Sequence, residues 1–382
     1  MRSRTSLLLA VAGLLFHVPS AFAQLNLVAF DVRVPVTPTP VQAEGASHLA
    51  YELHVTNMGT KERAITGLEV MTQVGGTTLL KLDSAEIRKA SRLLGGTPQS
   101  NGATLAAGRQ TVLFVWVDLP AGTRPTLLVH RFIVSPPDSA TASRRDTLDG
   151  YRVPVRTTPA PVLGAPFSGG PWVAGNGPGN TSGHRRTIVP IEGEGRIGQR
   201  FATDWILLGA DGQAFHGDST KNANWYGYGT PVTAVADGFV SEVKDGIIEN
   251  TPLSPTMAVP ITLETVGGNH LIVNIGGGLF AFYAHLQPGS LRVKLGDRVK
   301  KGQVIGLLGN SGNSTAPHLH FHVTDGSSPL GAEGMPFVFE RYERLDRIAG
   351  DIESLSGAWK QPGPARHVTR EIPLENTVVR FP

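Results

Sequence analysis

Apolar and polar positions alternate in short runs along most of this chain, and turn residues break the runs. Ala50 to Val55 (Ala-Tyr-Glu-Leu-His-Val) alternates in this way and ends at the turn Thr56-Asn57-Met58-Gly59. Thr111 to Val117 and Thr126 to Val134 are two further runs. A period of two sends successive side chains to opposite faces of a strand. Several such runs at this spacing predict an antiparallel β-sandwich of immunoglobulin-like type over residues 24–156. One helix is predicted within it, over Ser84 to Leu94.

The pattern changes between Thr157 and Ser182, where Pro, Gly, Thr and Asn dominate. That composition buries little apolar surface and predicts a linker or extended lead-in. Strand-like runs resume at Thr187 to Pro190. They continue through Val232 to Val243, His270 to Ile275, Phe280 to His285 and Val304 to Leu308, and close at His318 to Thr324. The tail predicts a short helix over Arg341 to Leu355 and an extended end, Val378 to Phe381. A second domain is therefore expected over residues 157–382, with the lead-in at its start.

The first residues carry a different signal. Arg2 and Arg4 precede an apolar run from Leu7 to Phe16, and Ala21-Phe22-Ala23 offers small residues where a signal peptidase reads. This layout predicts a signal peptide over residues 1–23, cleavage before Gln24, and a periplasmic or extracellular protein. The run is shorter than the roughly 20 residues a bilayer requires, so no stable membrane span is expected.

Composition narrows the chemistry. The chain has 46 Gly and 28 Pro, which with the short runs reads as mainly β. Its 34 Lys and Arg face 31 Asp and Glu, and loss of Arg2 and Arg4 leaves about one net positive charge. That balance makes no electrostatic case for nucleic acid. The cysteine count is 0, so any metal must sit on His and carboxylate. Nothing in residues 24–156 gathers His and carboxylates, and nothing there identifies a protein partner.

The strongest local signal is Pro317-His318-Leu319-His320-Phe321-His322. On a strand, His318, His320 and His322 share one face, about 6.5–7 Å apart, while Leu319 and Phe321 face the core. One His can then bind a metal while its neighbour acts as a base. The plain alternative is three solvated histidines on an exposed strand.

The surrounding sequence bears on that choice. Gly296-Asp297-Arg298-Val299-Lys300-Lys301-Gly302-Gln303-Val304-Ile305-Gly306 leads through Gly309-Asn310-Ser311-Gly312-Asn313-Ser314 into the histidine run. Upstream stand Gly229-Thr230-Pro231-Val232, Ala236-Asp237-Gly238 and Tyr283-Ala284-His285-Leu286. From about Gln199 to Thr324 the chain resembles the lysostaphin/LytM-type zinc endopeptidases, which cut peptides of bacterial peptidoglycan. The resemblance implies an antiparallel β-sheet peptidase domain after the sandwich, and Zn2+ as cofactor. It implies His320 and Asp204 (in Phe201-Ala202-Thr203-Asp204-Trp205) as zinc ligands, with His285 and His318 as the catalytic histidines that handle protons and stabilise the oxyanion.

Arg200 departs from that family's pattern. It stands where the family has its first His ligand, and a guanidinium has no lone pair to offer a metal. Either another residue supplies the third ligand or the site has lost its metal. Of the two nearby candidates, His216 falls in a Gly- and Asn-rich stretch, whereas His184 can meet Asp204 across a hairpin that turns at Glu192 to Gly198. His184 is therefore the expected third ligand, leaving Arg200 to bind a substrate carboxylate. His322 replaces a Glu of the family and reads as a supporting or solvated residue. The function implied is a secreted zinc endopeptidase acting on peptidoglycan peptides. The alternatives are a degenerate domain that binds the wall or activates other hydrolases, and a protease for secreted or Gly-rich proteins.

Overall fold

The computed structural model describes residues 29–73, 75–97, 100–136, 145–348 and 358–382. The predicted signal peptide lies outside the described residues. The fold is mainly β, with short helical segments.

The first half forms two antiparallel sheets. One is centred on Ala46–Asn57 and Gln110–Leu119, and the other on Arg63–Met71 and Leu127–Ser135. Leu49, Tyr51, Leu53 and Val55 face Leu68, Val70, Phe132 and Val134 across one buried core. The alternation read from sequence is the cause: odd-numbered positions of the first strand point into the sandwich. Each such side chain contributes about 1.5–3 kcal/mol by leaving water.

The helix is shorter than its sequence pattern predicts. Asp83 caps Ser84–Ala90, its carboxylate accepting from the Ala85 and Glu86 amides while Glu86 reaches back to the Asp83 amide. Ser91–Leu93 then pairs with Gln110–Leu119, and strand pairing ends the helix.

The second half is built on one long sheet. Its central order runs Thr377–Phe381, Gly169–Gly175, Thr203–Leu207, Leu319–Thr324, Leu279–Leu286, Asn269–Gly276 and Gly238–Lys244. The stretch expected to be a linker therefore supplies an interior strand. Its apolar residues are few but large: Leu163, Phe167, Trp172 and Val173 are all buried, and Phe167 stacks on Trp172 at 3.7 Å. Averaged composition concealed them among the turn residues.

The helix expected over Arg341 to Leu355 is also overturned. Val338–Arg347 is a strand paired on both edges, with a bulge between Arg344 and Asp346. Phe339, Tyr342 and Leu345 are spaced for a helix, yet ladder pairing and the bulge bury all three. Residues 349–355 lie outside the described residues.

The halves share a continuous interior. Even-numbered positions of Ala46–Asn57 face the second domain, and Ala50, Val41 and Ala43 join the core around Trp172, Trp205 and Phe321. Val112 and Phe114 meet Ile197 from the other side.

Candidate metal centre

Neighbouring strands bring the motif residues together. Asp204 lies directly opposite His320 in the ladder, and His320 lies opposite Ala284, one residue before His285. His318 precedes the strand Leu319–Thr324 and joins the same group. Its ring is 4.8 Å from that of His285. His285 itself adopts φ 64°, an uncommon conformation for a residue with a Cβ. Backbone contact behind it is close: a Cβ on Gly268 would meet the Ser311 carbonyl at 2.3 Å, and one on Gly312 the Gly268 nitrogen at 2.3 Å. Glycine at both positions lets the Gly267 carbonyl hold the His285 amide while the Ser311 carbonyl accepts its Nδ1–H at 2.8 Å.

His184 reaches this group from outside the sheet. It sits in the helical turn Gly183–Arg186, with Nε2 3.3 Å from Oδ2 of Asp204. The route differs from the hairpin expected: Val189–Ile191 and Glu194–Arg196 form a separate hairpin, and the turn after Gly169–Gly175 carries His184 in. His216 is elsewhere, its ring tilted against Tyr226 at 5.4 Å in the surface loop.

The donor atoms of His184, Asp204 and His320 lie within 4.8 Å of one another. Hydrogen bonds orient both rings and fix the atom that His184 offers. The Asn176 carbonyl can only accept, so His184 donates Nδ1–H to it at 2.9 Å and presents the Nε2 lone pair to Asp204. His320 turns Nδ1 to Asp204 Oδ1 at 2.9 Å and Nε2 to His322 Nδ1 at 2.8 Å. His184 thus aims a lone pair inward with its far nitrogen bonded outward, as metal-binding histidines do. His320 instead donates Nδ1–H to Asp204 and would exchange that proton for a metal while Nε2 stays bonded to His322.

Electrostatics suit a cation. Burial favours the neutral acid for Asp204, but His184 and His318, with hydrogen bonds from His318 and His320, outweigh it and hold the carboxyl well below its usual range. Burial and the neighbouring imidazoles push His320 down to about 4, and His285 and His322 well below their ordinary value. These three stay neutral at pH 7. His318 differs: burial lowers its pKa, yet Asp204, 3.3 Å from its Nε2, raises it overall. His184, Asp204, His285, His318 and His320 line an open cleft of about 730 Å³ together with Phe215, Leu253 and Thr315.

Two features escaped the sequence. Asn176 accepts from His184 and Ser182 through its carbonyl and donates its side-chain amide to Asp204 Oδ2 at 3.2 Å, aligning two of the three candidate ligands. The sequence Gly175-Asn176-Gly177 marked only a turn. Arg200 does not face a substrate. Its guanidinium is buried against Glu52 at 2.8 Å, Glu333 at 2.8 Å and the Gly334 carbonyl at 2.8 Å. The polar face of Ala46–Asn57 supplies Glu52 to this network.

Residues 225–331 match the Peptidase family M23. The chain is 36% identical over 113 residues to the glycyl-glycine endopeptidase ALE-1 of Staphylococcus capitis, covering 29% of this chain and 26% of that protein. It is 33% identical over 144 residues to the peptidoglycan DD-endopeptidase ShyA of Vibrio cholerae, covering 34% and 29%. The chain thus spans about a quarter of the length of these curated relatives. The catalytic domain of the prophage-encoded protein EnpA of Enterococcus faecalis aligns over 45% of this chain and 92% of its own, at 24% identity and a TM-score of 0.26. With the ordered turn motifs, the sheet and the matched residues in agreement, the second half of the chain carries a peptidase M23 domain of the lysostaphin/LytM type.

Proposed function

We propose that this chain is an exported zinc-dependent endopeptidase that hydrolyses peptide bonds of bacterial peptidoglycan. The observation that carries this reading is the convergence of His184, Asp204 and His320, beside two further histidines, on one cleft. Three donors of this type, with the His184 lone pair aimed inward and His320 Nδ1 turned to Asp204, fit zinc and leave a coordination position open. His184, Asp204 and His320 would hold the ion. When bound, zinc polarises a carbonyl and lowers the pKa of a water ligand to about 7.

The chain's own residues supply the rest. His285 and His318 each give Nδ1–H to a backbone carbonyl, Ser311 and Ala316, at 2.8 Å. His285 therefore keeps Nε2 as its free atom, while His318 Nε2 faces Asp204 Oδ1 at 3.3 Å and would be released where a metal engages that carboxylate. In the neutral form that nitrogen takes the proton of the attacking water, and afterwards returns it to the leaving amine. The protonated imidazole left in between is a hydrogen-bond donor for the developing oxyanion. Burial keeps competing water away and makes these interactions stronger than in solvent.

The two named relatives differ in the bond their names describe, glycyl-glycine and DD, so the assay uses both substrates. Purified protein with about one zinc per chain should release soluble peptides from one of the two peptidoglycan types, and chelation should stop it. Zinc-loaded protein that binds the wall and releases nothing would support the alternative of a binding module. Protein without zinc after gentle purification would remove the enzyme reading.

A further inference from the structure

The helical turn carrying His184 is too small to hold its own shape. Gly183–Arg186 has four residues, and Ser182 makes no side-chain cap to it. An isolated helix of this length does not persist in water. The Asn176 carbonyl orients the ring, and something else must hold the turn itself in place.

The fixing contacts come from the sandwich. Arg185, next in sequence to His184, is fully buried and its side chain enters the first domain. Its guanidinium donates to Glu52 at 3.0 Å, to the Tyr51 carbonyl at 3.0 Å and to the Val115 carbonyl at 2.9 Å. Its remaining bond, to Asn180 at 2.6 Å, stays within the segment. Asn180 donates to the Phe114 carbonyl at 3.2 Å, and Arg186 donates to the Lys89 carbonyl at 3.1 Å and covers the Phe114 ring at 4.3 Å. Glu52 turns its second oxygen to Arg200, so one carboxylate ties the His184 turn to the loop leading into Asp204.

We propose that Glu52 and Arg185 are positioning residues: the sandwich domain, through this pair, sets the third metal ligand and with it the metal affinity of the peptidase half. The inference rests on the reading of His184, Asp204 and His320 as a zinc site. It gives the first domain a part in the site that composition did not suggest. Removing the charge on Glu52 leaves Arg185 buried with its anchor weakened, and the adjacent His184 loses its fixed approach to Asp204.

The test is zinc affinity of the full mature chain by chelator competition, for wild type, Glu52→Gln and Glu333→Gln. Glu333 holds Arg200 but does not touch Arg185, so it reports general damage to the buried network. Glu52→Gln should weaken zinc binding at least tenfold, with Glu333→Gln within twofold of wild type. If Glu52→Gln fails to fold, Arg185→Lys serves instead, since it keeps the charge and loses the fork to Tyr51 and Val115. Hydrogen exchange of the metal-free protein should show amides 183–187 exchanging faster in either variant. Wild type that binds no zinc would remove the metal site itself. Wild-type affinity in Glu52→Gln, or equal losses in the two Gln variants, would overturn the positioning role.

Discussion

His184 Nε2 lies 3.3 Å from Asp204 Oδ2, although the two side chains come from a helical turn and a sheet strand that share no ladder. The relationship matters because Arg200 stands where a ligand was expected and is engaged elsewhere. His184→Ala should reduce zinc content to near zero and abolish hydrolysis together. His216→Ala should leave both within about twofold, since its ring contacts Tyr226 outside the site. Metal analysis with a peptidoglycan release assay separates the two, and full zinc in His184→Ala would return the third ligand to the unknowns.

The proton-handling pair makes a different prediction. His285 and His318 each fix Nδ1 on a carbonyl; His285 presents Nε2 to the cleft, and His318 turns Nε2 to Asp204. His285→Ala should lower kcat by about 10²–10⁴-fold with zinc retained, because general acid–base catalysis is worth that much. His318→Ala should do the same. Steady-state kinetics with metal analysis checks both, and loss of zinc from His318→Ala would show that it is a ligand.

Much of the site was legible because strand geometry is local. A period of two put His318, His320 and His322 on one face, and the family resemblance pointed to His285 and Asp204. What the sequence hid is long-range. The strand Gly169–Gly175 looked like linker because turn residues outnumber its apolar ones, yet Trp172 is fully buried. Arg200 read as a ligand for a substrate carboxylate because its partners, Glu52 and Glu333, lie more than a hundred residues away on either side. Glu52 alternates with Leu53 and Tyr51 as a solvated position would. Only the docking of the two halves makes it interior.

Stability should fall with acid through His130. Burial pushes its pKa from 6.5 down to about 4, while its bond to the Tyr151 carbonyl opposes the shift. That bond uses Nδ1–H, and Nε2 accepts from the Tyr51 hydroxyl at 2.8 Å, so the native state needs the neutral ring. Between pH 6.5 and 4 the unfolded chain binds the proton and the folded chain does not. Stability is therefore complete above pH 6.5 and declines as pH drops toward 4, by about 3 kcal/mol from this residue. Urea unfolding of wild type and His130→Gln at pH 7, 5.5 and 4 isolates the term by difference. Parallel pH slopes in the two proteins would refute it.

Restoring the family's residue at position 200 should not restore a ligand. Arg200→His withdraws a guanidinium that bonds Glu52, Glu333 and the Gly334 carbonyl in a buried space. Burial disfavours the charge on Arg200, but Glu52 and Glu333 outweigh it and raise the pKa above its ordinary value, so the cation is native there. An imidazole is shorter, carries fewer donors and is easily deprotonated. Of cations, Glu52 would then keep only Arg185, and Glu333 only Arg196 at 3.8 Å. Breaking such a buried pair costs about 3–5 kcal/mol. The new ring would face this network, where the backbone holds residue 200 against Gly334, a glycine whose added Cβ would sit 2.6 Å from the Arg200 nitrogen. Denaturant unfolding should show the loss, and zinc affinity by chelator competition should not rise. A variant that unfolds later than wild type, or binds zinc more tightly, would mean that the Arg200 network is dispensable and that the loop before Asp204 can still turn its side chain into the site.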